Sequence, residues 1–173
     1  MRNEEEFGLE EVLRQLKKEI SQAMALPGKP EITIKKCILE LSTVATKTAE
    51  RKIKLKILPI KVGGGAELSE EMIQKVILTM IPTPPRRKIA RRKIPEFGIV
   101  RVVKEVRNVI KIIERTPPPF RLEDFKVEVK FGITRKGGAG KGISIWVIEA
   151  GAEAEYSKGS IHKLTIHFGL IQP

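Results

Sequence analysis

The same pattern is written twice in this chain, 90 residues apart. Phe7-Gly8-Leu9 opens the first copy and Phe97-Gly98-Ile99 opens the second. Behind each opening, Leu9, Val12, Leu13, Leu16 and Ile20 stand against Ile99, Val102, Val103, Val106 and Ile110, each pair at the same offset of 90. Apolar residues at those intervals line one face of an α-helix. A duplicated chain is expected to build one unit twice. A unit of about 80 residues buries limited apolar surface, so the two copies are expected to pack on each other. The organisation read from this is a first repeat over 1–83, a linker over 84–95 and a second repeat over 96–173.

The expected helices cover 7–25 and 98–114. Pro27 and Gly28 end the first, and Pro117, Pro118 and Pro119 end the second. The second helix carries extra apolar residues at Val100, Val109 and Ile112, so it is expected to be covered on more than one side. Alternating segments follow each helix, at about 32–46, 51–62 and 72–81, then at about 120–135, 142–156 and 160–171. Ile53, Leu55 and Ile57 alternate with Lys52, Lys54 and Lys56 before the phase slips to Leu58, Ile60 and Val62. The second copy slips in the same way after Val147, which predicts a β-bulge in both. Val76, Leu78 and Met80 correspond to Leu164, Ile166 and Phe168 at an offset of 88. The fold class is α+β: two tandem repeats, each one amphipathic helix followed by a three- to four-stranded antiparallel sheet.

Charge is concentrated in the linker. Residues 84–95, PPRRKIARRKIP, hold six cations and no acid, half of the net charge of +12. Arg86, Arg87, Lys88, Arg91, Arg92 and Lys93 could pair with nucleic-acid phosphates, or could simply keep a spacer solvated. No aromatic residue is interleaved there to stack on bases. Lys, Arg and Glu abound beside 23 Ile, two Asn and four Gln, a balance common in thermophiles. No apolar run approaches the ~20 residues that span a bilayer, so no membrane partner is expected. The acidic start MRNEEEFG is unlike a signal peptide, and a cytoplasmic location is expected.

Residues capable of chemistry are few. Cys37 is the one cysteine and reads as a buried apolar residue. His162 and His167 are the only histidines and fall on opposite faces of one strand, so they cannot converge on a metal. KGGAGKG (136–142) fails the phosphate-loop spacing, with Arg135 and Gly142 where a glycine and a hydroxyl residue are needed, and reads as a hairpin turn. Trp146 lies on the face opposite Ile145 and Val147, which predicts cover on both sides of that strand, by core or by an interface. No catalytic residue, metal site or cofactor is expected.

Two stretches carry a resemblance. GLEEVLRQLKKEISQAM (8–24) resembles the N-terminal helix of the trypsin-co-occurring domains, second type, and KGGAGKGISIWVIEAGAEAEYSKGSIHKLTIHF (136–168) resembles their C-terminal part. The first copy departs from the pattern at Pro59 and at Gly63-Gly64-Gly65. The resemblance implies an adaptor or recognition module that accompanies protease-like or other effector proteins in conflict systems, without assigned catalytic residues. The expected function is a non-enzymatic interaction or scaffolding module that self-associates through Val100, Val109, Ile112 and Trp146. The alternative is a basic protein that holds nucleic acid through residues 86–93.

Overall fold

The computed structural model describes residues 7–25, 32–47, 49–59, 72–83, 98–135, 142–149, 151–152, 156 and 158–170. Each repeat begins with its helix. A two-residue strand β1 (Phe7–Gly8) leads into α1 (Leu9–Met24), and α2 spans Ile99–Arg115. In α1 the predicted apolar face holds: Val12 and Leu16 are fully buried, and Glu10 and Glu11 in the first turn suit the positive helix start. The first turn of α2 has no acid of its own. Glu19 of α1 supplies one instead, with its carboxylate beside Gly98, the residue that caps α2. Gly98 has φ +91°, and a Cβ there would come within 3.1 Å of Glu19 Oε2. At the other end of α2, the Thr116 amide donates to the Ile112 carbonyl at 2.9 Å before the prolines stop the helix.

The strands are β2 (Ile32–Lys47), β3 (Ile53–Ile57) and β4 (Ile73–Met80), then β5 (Asp124–Arg135), β6 (Ile143–Val147) and β7 (His162–Leu170). The duplication extends to the pairing register. Thr43 opposes Ile57 as Phe131 opposes Val147. Leu41 opposes Val76 as Val129 opposes Leu164. At the predicted phase slip β3 and β6 end, with Leu58, Pro59, Ile148 and Glu149 no longer in strand, while Ile60, Val62 and Ala150 lie outside the described residues. A register shift does occur in β2, between Ile34 and Lys36.

Among the described residues, the two repeats share one antiparallel sheet of seven strands, ordered β1-β3-β2-β7-β5-β6 with β4 on the other side of β2. The join is made by β7, which pairs with β5 of its own repeat and with β2 of the first. Leu39, Leu41, Phe131, Ile133, Leu164 and Ile166 point to the helix face and are fully buried. The opposite face carries Lys36, Glu40, Lys75, Lys126, Glu128 and Lys163, the alternation of a sheet with one wet side. A second seam ties the sheet to α1: Arg135 pairs with Glu11 at 2.5 Å, and its guanidinium lies 4.8 Å from the Phe7 ring centre.

Candidate interaction groove

Unlike α1, α2 does not close over the sheet of its own repeat. An open groove of about 700 Å³ runs between them. Val102, Val106, Val109 and Ile113 form its helix wall, and Phe125 and Val127 of β5 form its floor. Ile145, Trp146 and Val147 of β6 close one side, while Arg101, Glu105 and Glu149 supply the polar lining. Periodicity explains the wall: those four α2 positions recur at intervals of three and four, one stripe of the helix. An apolar groove with a few charged groups at its margin is suited to taking another apolar surface.

Trp146 is 53% exposed. Its indole Nε1–H donates to Thr134 Oγ1 at 2.7 Å, which orients the ring on the sheet edge. Cover on both sides of β6, as the alternation predicts, is therefore not found among the described residues. The physical reason is that β6 is a short edge strand, paired only with β5 among the described residues. Val109 shares the groove with Trp146. Val100 is 1% exposed and is taken up by the core, and Ile112, 61% exposed, lies outside the groove. Arg86, Arg87, Lys88, Arg91, Arg92 and Lys93 lie outside the described residues, as does most of the KGGAGKG segment, which joins the antiparallel pair β5 and β6. Phe125, Val127 and Val106 escaped the sequence reading as groove residues. Their signal was present as ordinary apolar positions, indistinguishable from core.

The reactive side chains are placed for structure. Cys37 is 2% exposed, and burial pushes its thiol up to about 11. His162 is 1% exposed on the core face, and burial lowers its pKa to about 4, opposed by a weaker interaction with the Leu58 backbone. Its Nδ1 accepts the Ser42 amide at 3.0 Å, so the neutral ring carries its proton on Nε2. His167 opposes Lys126 on the other face of the sheet. Among the described residues, no cluster of three or more His, Cys, Asp or Glu could hold a metal ion. No helix among them is long and apolar enough to cross a membrane.

The fold and groove define a tandem α+β module in which two copies of one helix-and-sheet unit share a sheet. Two stretches, 7–82 and 98–169, match the trypsin-co-occurring domain 2 family, and the chain belongs to that family in two copies. No curated protein and no solved structure matches it. The family has no assigned enzymatic activity.

Proposed function

We propose that this protein is a non-enzymatic interaction module that self-associates through its second repeat and serves as a scaffold or adaptor. The observation that carries this reading is the groove, where apolar side chains of α2, β5 and β6 stay open to solvent beside an exposed, oriented tryptophan. Exposed apolar surface of this extent is unfavourable in an isolated chain and becomes favourable when another surface covers it. Tryptophan is the side chain most enriched among residues that dominate binding energy.

Light scattering across a dilution series tests the reading. Mass should rise with concentration, and Val106→Glu, which puts a charge in the helix wall, should hold the protein at monomer mass without changing its circular dichroism. A wild-type protein that stays monomeric at every concentration would refute self-association. Salt should weaken the assembly little, because its main contacts are apolar.

A further inference from the structure

Within the chain, the docking of the second repeat on the first includes a strand contact and a helix contact. β7 pairs along the N-terminal half of β2, from Ile32 to Glu40, and α2 packs against α1. The surface covered on the first repeat has a counterpart on the second, and that counterpart is the groove. Val12, Leu16 and Ala23 are 0%, 0% and 1% exposed, whereas Val102, Val106 and Ile113, at the offset of 90, remain partly exposed. Cys37 and Leu39 are buried, whereas Phe125 and Val127, at the offset of 88, are only partly so. Beside the groove, β5 from Asp124 to Val129 pairs with β7 on one side and with no strand on the other among the described residues.

The covering surface has a counterpart as well. Leu164, Ile166 and Phe168 are buried because β7 lies between two strands. Val76, Leu78 and Met80 of β4 occupy the same places in the first repeat and stay partly buried, because β4 has β2 on one side and no strand on the other among the described residues. Ile77, on the outer face of β4, is 61% exposed. Each chain therefore carries one unused copy of both halves of its own internal interface.

We infer that chains associate head to tail, with β4 of one chain adding to the free β5 edge of the next and its first repeat seating in the groove. This rests on the self-association reading and specifies its geometry. The register follows from the contact already made inside the chain. Leu39 opposite Leu164 becomes Val127 opposite Val76 of the next copy, and Ile38 opposite Thr165 becomes Lys126 opposite Ile77. Glu40 opposite Lys163 becomes Glu128 opposite Lys75, so the charges again oppose favourably. Neither strand has a proline in the span that would pair. The helix contact is the more polar part: Val100 and Arg107 of α2 have Glu10 and Lys17 as counterparts on α1. The strand contact thus carries the docking, and the association is weaker than the internal seam. Two different surfaces meet, so growth does not stop at two copies unless the accumulated rotation closes a ring.

The test uses cysteine pairs at exposed positions on the outer face of the sheet, Ile77→Cys and Lys126→Cys, with the buried Cys37 left in place. Directly opposed residues of an antiparallel pair stand about 4.5–5.5 Å apart at Cα, within disulfide range. Mixing the two single variants under a mild thiol oxidant should give a cross-linked dimer on a non-reducing gel. The doubly substituted chain should give a ladder. Cross-linking of Ile77→Cys with itself would mean that β4 meets β4 across a two-fold axis, overturning the head-to-tail geometry while leaving self-association standing. Concentration-dependent oligomers that form neither cross-link would overturn it in the same way. A wild-type chain that sediments as a monomer at all concentrations would overturn both readings.

Discussion

His162 sits where one neighbour of β2 ends and the next begins. β7 pairs with β2 as far as Glu40, and β3 takes over the same side from Thr43. The Ser42 amide lies between them, and His162 Nδ1 accepts it, while the Ser42 hydroxyl donates to the Ile161 carbonyl at 3.2 Å. Protonating Nδ1 removes this acceptor and places a charge in the core. The folded-state pKa of about 4 lies below the ordinary 6.5, so the unfolded chain binds the proton more readily between those values. Stability is therefore fully present above pH 6.5 and falls as pH drops towards 4, by at most about 3 kcal/mol from this group. Urea titrations across that window should show the loss, and His162→Gln, which keeps an acceptor without the titration, should flatten it. Glycine provides a second residue-scale comparison. Gly98→Ala should cost about 1–2 kcal/mol, because φ is +91° and Glu19 stands in the way. Gly8→Ala, at φ −73° with open space around it, should change the urea midpoint little.

Among the elements, α1 and α2 have the same apolar spacing and different surroundings. The helices, the proline stop of α2 and the alternating strands that follow each helix were legible in the sequence because each follows from local periodicity or from proline chemistry. The fate of individual apolar positions was not. Val100, Val109 and Ile112 look alike in the sequence, yet Val100 is buried and the other two are 53% and 61% exposed. What decides is which neighbour lies beyond the helix, and that is a long-range fact. Trp146→Ala should leave thermal stability within about 1 kcal/mol of wild type, because the ring is half exposed on an edge strand. The same change should weaken self-association, read as a shift of the light-scattering midpoint to higher concentration. Neutralising Arg86, Arg87, Lys88, Arg91, Arg92 and Lys93 together should leave self-association unchanged. Any affinity for DNA or RNA should vanish with those charges, and affinity that persists would place its source elsewhere.

At the scale of the whole molecule, β7 makes two repeats into one body, since its Leu164, Ile166 and Phe168 belong to a core shared by both. Unfolding should therefore be one cooperative event, with calorimetric and van't Hoff enthalpies in agreement. Two separate melting transitions would contradict the shared core. The amino-acid sequence alone determined the duplication, the helix in each copy, the strand alternation and the matched final strands at an offset of 88. These are properties of short segments, set by periodicity and by residues that break it. Only the tertiary structure decided that β7 would serve two repeats while β4, among the described residues, serves one. Equal patterns cannot specify unequal neighbours: a strand's edge is free or paired according to where distant parts of the chain come to lie, and the hydrophobic pattern reads the same in both cases.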